Sequence, residues 1–441
     1  MTAESRDLRR ITLSSLAGTT VEYYDFLLYA TMTALVFDRL FFPGSDPSAA
    51  AVAAFGTLAA GYVARPLGGI LFGHLGDRLG RKRTLVATMT LMGVASFLIG
   101  CLPTYETIGR AAPVLLVLLR VGQGIAVGGE WGGATLMVAE HARPSDRGRW
   151  NGIVQTGSAI GGLLSTMVVM ALAGLSDEAL MSWGWRVPFL LSAGLLVIGL
   201  YVRSGVAESP VFVQAMESAT GGGTSIPLMS VLRRPGALLL TCAIGIGSFG
   251  LTGLLSTYMV SYTRNLGYTT SANLSSKLWG GVAVLIAIPA FAALSDRLGR
   301  RRVMLAGAVA IVLYAYPMYA LVDSLSTPRL IVAVVIGQII QAAMYGPLGA
   351  MLAEMFDTGV RYTGMSLGYQ LAALIGAGFT PLLASSLLTA GPRSTPLVLI
   401  AMGCGVVTIA ALLFTRETAG RDLADPVRAE GIGVAPVRGC P

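Results

Sequence analysis

The chain has 441 residues, of which 54% are apolar and only 12% charged, with a net charge of +8. Soluble domains carry roughly a quarter charged residues, so an ordinary soluble protein is excluded. A disordered chain is excluded as well, because it would be polar and poor in Val, Ile, Leu and Phe.

The mean hydropathy is +0.70, and the apolar residues come in runs of membrane-spanning size, roughly 20 residues each. The basic excess lies in short loops, with no stripe of interleaved aromatics, so it points to a cytoplasmic membrane face and not to nucleic acid. Cys101, Cys242, Cys404 and Cys440 are widely separated and only His74 and His141 are present. Neither a metal set nor a disulfide framework is expected from these. The first apolar stretch contains Glu22 and Asp25, which argues against a cleavable signal peptide.

In chain order the runs predict twelve membrane helices, over 16–40, 52–75, 84–102, 113–139, 150–174, 186–203, 236–262, 277–294, 302–322, 329–353, 362–389 and 396–415. The expected fold class is all-α integral membrane, with two pseudo-symmetric six-helix bundles. The bundles cover 1–202 and 236–415, joined by a cytoplasmic linker over 203–235 and followed by a polar, disordered cytoplasmic tail over 416–441. Placing the N-terminus inside leaves seven basic residues in outer loops: Arg39, Arg110, Arg186, Arg264, Lys277, Arg329 and Arg393. Most of the others fall on the inner side, so both termini are expected in the cytoplasm.

Two stretches repeat. Residues 73–83 read GHLGDRLGRKR and residues 292–302 read AALSDRLGRRR, an offset of 219. Glu140 precedes Arg147 by seven residues, and Glu354 precedes Arg361 by seven. Both pairs fall in matching loops of the two halves, which is the plan of a parallel repeat. Gly80 and Gly299 suit a tight turn that needs positive φ.

These motifs resemble the major facilitator superfamily. VEYYDFLLYA (21–30), ARPLGGILFGHLGDRLGR (64–81), RVGQGIAVGGEWGGA (120–134), ESPVF (208–212) and GPLGAMLAEMF with RYTGMSLGYQ (346–370) resemble its metabolite:proton symporter branch in particular. That branch includes carriers of α-ketoglutarate, citrate, shikimate, and proline or betaine. The resemblance implies proton-coupled import of a small organic acid or zwitterion across the inner membrane, powered by the proton gradient with no cofactor. The alternative is an efflux antiporter of the same fold; such proteins carry a proline in helix 5, and GIVQTGSAIGG (152–162) has none.

Charged groups inside a bilayer are costly, about 2.5–3.5 kcal/mol each at a helix centre, which marks them as functional candidates. Glu22, Asp25 and Glu130 are candidates for proton coupling, with Arg120, whose Arg-x-x-Gln-Gly setting the resemblance associates with proton transfer. Arg65 is the candidate partner of a solute carboxylate, paired with a carboxylate of helix 1 in a central chamber. Tyr24, Gln155, Tyr258, Tyr369 and Gln370 are candidate solute ligands, and Tyr23 carries a similar tip. Asp77, Arg78, Arg81, Asp296 and Arg300, with Glu140, Arg147, Glu354 and Arg361, are expected to form a cytoplasmic latch, Arg147 pairing with Glu140. No P-loop, HExxH or GxSxG run occurs, so no catalytic residue, no metal and no enzyme activity is expected. The expected partners are a small solute, protons and the lipid bilayer, with one chain sufficient as a monomer.

Overall fold

The computed structural model describes residues 3–43, 46–79, 81–172, 174–204, 231, 235–356, 361–388 and 394–423. Within these, the side chains of 3–7, 47, 48, 73, 74, 76–79, 81, 82 and 202–204 are not described. The linker over 203–235 therefore lies almost wholly outside the described residues, as do 424–441.

Among the described residues there are twelve long helices. The N-terminal six are α1 (Ala3–Met32, continued to 41), α2 (Pro47–Leu79), α3 (Arg81–Gly100), α4 (Ala111–His141), α5 (Arg147–Leu172) and α6 (Val187–Ser204). The C-terminal six are α7 (Pro235–Asn265), α8 (Thr270–Leu298), α9 (Arg300–Val322), α10 (Thr327–Met355), α11 (Arg361–Leu387) and α12 (Thr395–Leu413). The eleven helices after α1 are each long and apolar enough to cross a membrane. All six helices of a half run down and up in turn, because the connections are short. In a bilayer only helices satisfy every backbone group within one segment.

Close helix contact relies on glycine. A Cβ on Gly128 of α4 would fall 1.9 Å from the Arg65 carbonyl oxygen of α2. The two backbones touch there, and without a hydrophobic drive between helices in lipid, that packing is what holds them together. The halves meet mainly where α5 packs on α8 and where α2 packs on α11.

Three helices are locally widened into π turns, at Thr33–Phe37 in α1, Thr252–Tyr258 in α7 and Leu374–Phe379 in α11. Thr33 and Thr252 are 219 residues apart, the same offset as the loop motif. Such turns concentrate at functional positions. Two helices are broken instead: α4 after Gly128, and α10 at Gly346-Pro347. Gly299 ends α8 at φ 100°, the left-handed conformation its place in the repeat motif requires.

The structure corrects two boundaries. α8 begins at Thr270, because the Thr269 hydroxyl accepts from the Ala272 N–H and caps the helix. Lys277, expected in an outer loop, therefore lies inside α8. The segment after α12, expected to be disordered, is held through 423: Glu417 accepts from the Arg300 and Arg301 backbone N–H groups, and Leu423 is buried.

Candidate transport pathway and gates

Asp25 lies on α1 and is fully buried. Ser192 of α6 donates to its Oδ1 at 2.5 Å, and Ser96 and Arg120 stand within electrostatic reach. Its Oδ2 has no hydrogen-bond partner. This carboxylate thus points into the interior of the N-terminal half. Among the described residues Asp25 forms no ion pair with Arg65, because α1 turns it toward Ser192 of α6. Arg120, also fully buried, donates to Gln123 at 2.9 Å, and Gln123 donates to Ser96 at 2.6 Å.

Arg65 is 4% exposed. Its guanidinium stacks over Phe26 at 3.7 Å and over Tyr62 at 4.3 Å. Arg120 lies over the same Phe26 ring, also at 3.7 Å. One aromatic ring on α1 is therefore clamped between two guanidinium groups from α2 and α4. Each such contact contributes roughly 0.5–2 kcal/mol, while the two like charges repel across it.

Glu22 is buried and lies within electrostatic reach of Tyr23, Tyr62, Tyr345 and Tyr369. It lies toward the seam between the halves, three residues before Asp25 on the same helix. At that seam three hydroxyls meet: Tyr23 and Tyr345 at 2.6 Å, Tyr23 and Tyr369 at 3.0 Å, and Tyr345 and Tyr369 at 3.1 Å. Tyr369 stacks on Trp131 at 3.5 Å, and the Trp131 indole donates to Gln155. Gln370 reaches the Gly128 carbonyl and Tyr362 the Gly129 carbonyl, both at the break in α4. Glu130 is buried at that break. Gln155, Tyr369 and Gln370 are thus at the seam. Tyr24 is not: it donates to the Pro188 carbonyl of α6, inside the N-terminal half. Tyr258 packs on Phe55 nearer the opposite face.

Between the halves lies a cavity of about 70 Å³. Tyr23, Tyr345 and Lys277 of α8 line it, with Ser158, Gln338 and Gln341. Lys277 Nζ donates to Thr31 of α1 at 2.6 Å. Arg65 is not among the lining residues.

Contacts join the halves at both ends. On the basic face, Glu354 of α10 accepts from Arg147 of α5 at 3.0 Å and from Arg300 of α9 at 3.5 Å. Asp296 accepts from the Gly148 and Arg149 N–H groups at 2.9 and 2.8 Å, and pairs with Arg300 at 2.6 Å. A carboxylate of one half so caps the first turn of a helix of the other, where the helix dipole favours negative charge. The chain after α12 crosses this cluster: Thr418 donates to Glu354, Arg421 to the Glu354 carbonyl, and the Arg421 carbonyl accepts from Arg147. Arg361 donates to the Phe356 and Leu423 carbonyls. Arg147 therefore pairs with Glu354 across the halves and not with Glu140 of its own half; Glu140 is partly exposed. The side chains of Asp77, Arg78 and Arg81 lie outside the described residues. On the opposite face, Arg264 pairs with Asp38 at 2.8 Å.

A family model described as sugar (and other) transporter matches residues 11–226, and one described as major facilitator superfamily matches 278–439. The shikimate transporter of Escherichia coli (strain K12) is 40% identical over 92% of this chain and 94% of its own. The chain belongs to the major facilitator superfamily. The inner membrane metabolite transport protein YhjE of the same organism is 38% identical over 94% of this chain and 95% of its own. The proline/betaine transporter of Escherichia coli (strain K12) is 33% identical, over 94% of this chain and 85% of its own. Among solved structures, the proton:xylose symporter XylE bound to 6-bromo-6-deoxy-D-glucose superposes with a TM-score of 0.74 at 18% identity. It covers 96% of this chain and 98% of that chain, and it shows the fold.

This major facilitator protein is a multi-pass membrane transporter of small-molecule metabolites, not an enzyme. Tyr345 and Lys277 are the site residues the sequence reading missed. The tyrosine's signal was its place before the Gly346-Pro347 break, and the lysine's was the Thr269 cap that extends α8 outward.

Proposed function

We propose that this transporter imports a small organic metabolite together with a proton by alternating access, with the proton gradient as its energy source and no cofactor. The relatives named above, one a shikimate transporter and one a proline/betaine transporter, support a solute of that size that carries a carboxylate. The proposed location is the inner membrane, with both termini in the cytoplasm, on the side of the basic loops. One chain holds both halves and the whole pathway, so a monomer suffices.

One observation carries the reading. Asp25 is buried beside Arg120 on one face of α1, while Tyr23 and Leu27 of the same helix line the cavity. Ionised, Asp25 balances part of the positive charge of Arg120. Protonated, it leaves that guanidinium with less compensation against Arg65 across Phe26, and the clamp on α1 weakens. Occupancy of the proton site thereby reaches the cavity through a single helix. A loaded, charge-compensated site is cheap to occlude, since isolated charges in a low-dielectric interior are strongly disfavoured. Movement of net positive charge inward gains about 2.3 kcal/mol per charge per 100 mV.

The test is uptake of labelled shikimate into liposomes containing the purified protein. Accumulation is expected when the outside is acid, and a protonophore is expected to abolish it. Uptake indifferent to gradient and potential refutes the symport. Accumulation only when the lumen is the acid side makes the protein an antiporter.

A further inference from the structure

We infer that Lys277 is the cation that recognises the solute, and that the cavity selects hydroxylated monocarboxylates over zwitterions bearing a quaternary ammonium. This rests on the transport reading above and adds the chemistry of the solute.

The ammonium of Lys277 has three N–H donors. One goes to Thr31 Oγ1. The Thr31 hydroxyl gives its own proton to the Leu27 carbonyl at 2.7 Å, so toward Lys277 it is purely an acceptor. No carboxylate among the described residues forms an ion pair with Lys277. A cation at membrane depth without a counter-charge is disfavoured, and a solute carboxylate supplies one. Arg65, the other cation of the region, is held between Phe26 and Tyr62 and stays out of the cavity.

The remaining polar lining is neutral. Gln338 donates through Nε2 to Ser256 at 3.0 Å, and Gln341 through Nε2 to Ser248 and Thr252 at 3.3 and 3.2 Å. Holding each amide by its nitrogen presents its Oε1 as an acceptor for a solute hydroxyl. Ser158 adds a further oxygen, its proton being given to the Gln155 carbonyl at 2.7 Å. Acceptors of this kind match hydroxyl donors on a ring or chain. No Asp or Glu lines the cavity, so no counter-charge meets a quaternary ammonium there; the Tyr23 and Tyr345 rings offer it a cation–π face at most, against the repulsion of Lys277. At about 70 Å³ the cavity is far below the roughly 300–1,000 Å³ of general ligand pockets. It is contracted around its polar groups, and loading requires the halves to part. A carboxylate on Nζ lies beside Thr31, so the solute touches α8 and α1, one helix from each half.

The experiment is counterflow in liposomes loaded with unlabelled shikimate, which needs no proton gradient. Labelled shikimate is expected to exchange. Excess unlabelled quinate, a second hydroxylated monocarboxylate, is expected to compete, while equal excesses of proline betaine and of shikimate methyl ester are not. Lys277→Gln is expected to raise the half-saturating concentration about ten- to hundredfold, the weight of one charge-assisted hydrogen bond. Lys277→Arg is expected to restore much of it. Wild-type affinity in Lys277→Gln overturns the inference, as does competition by betaine or the ester at the level of quinate, or no exchange of either acid. If Lys277→Gln does not elute as a single species in detergent, the competition series on the unaltered protein decides alone. Lys277-dependent counterflow without gradient-driven accumulation refutes the symport and keeps this inference; gradient-driven accumulation untouched by Lys277→Gln does the reverse.

Discussion

Asp25 shows what a single side chain carries here. A carboxylate in an apolar helix was visible in the sequence as an expensive group. Its partners were not, because helical periodicity says which residues share a face and not which neighbour that face meets. Arg65 sits on the neighbouring helix α2, yet Asp25 turns to Ser192 and Arg120 instead. Tyr24 illustrates the same limit: its hydroxyl donates to the Pro188 carbonyl in the first turn of the Val187–Ser204 helix, a partner 164 positions away. The residue-scale expectation is that Asp25→Asn, nearly isosteric, folds and still performs counterflow but no longer accumulates solute against a gradient. Proteoliposome assays of the two activities side by side check this; accumulation at the unaltered level removes Asp25 from the proton step.

At the scale of elements, the contact of α2 with α4 depends on the absence of a side chain. Gly128→Val places atoms where the Arg65 carbonyl already is. Neither backbone can give way, since each is held by its own helix, so the variant is expected to lose several kcal/mol of stability, at or above the roughly 4 kcal/mol that marks exceptional cases. Failure to elute as a single species in detergent is the expected readout; a stable, active Gly128→Val would show the helices free to separate. The loop elements were legible because they repeat: the 219-residue offset located Asp296, and Gly299 has the positive φ its motif needs. The start of α8 was misjudged because Lys277 resembles a loop residue by charge. A threonine cap and a long aliphatic stem let it sit inside the helix while its ammonium reaches polar groups.

For the molecule as a whole, the two seals differ in strength. The basic-face cluster joins Arg147, Arg300, Asp296 and Glu354, with Arg300 and Glu354 fully buried, and the chain through Leu423 straps across it. Removing one member of a buried ion pair typically costs about 3–5 kcal/mol. The opposite face has Arg264 and Asp38, whose side chains are 30% and 13% exposed, so water screens that pair more than it does the fully buried Arg300 and Glu354. The resting protein is therefore expected to keep its basic face shut. Glu354→Gln should open that face, and Arg264→Ala should open the other. Ser158→Cys, in a background lacking Cys101, Cys242, Cys404 and Cys440, reports the change through labelling by a membrane-impermeant thiol reagent applied from each side. Labelling that moves in the same direction for both variants would refute two opposed gates.

Composition, hydropathy and the internal offset were sufficient for the fold class and its two halves, because each depends on residue type and spacing along one chain. Which cation lines the cavity, which carboxylate faces Arg120, and which glutamate answers Arg147 were decided only by tertiary structure. Those pairings join residues up to 207 positions apart, and they follow from helix rotation and close glycine contacts that no local pattern encodes.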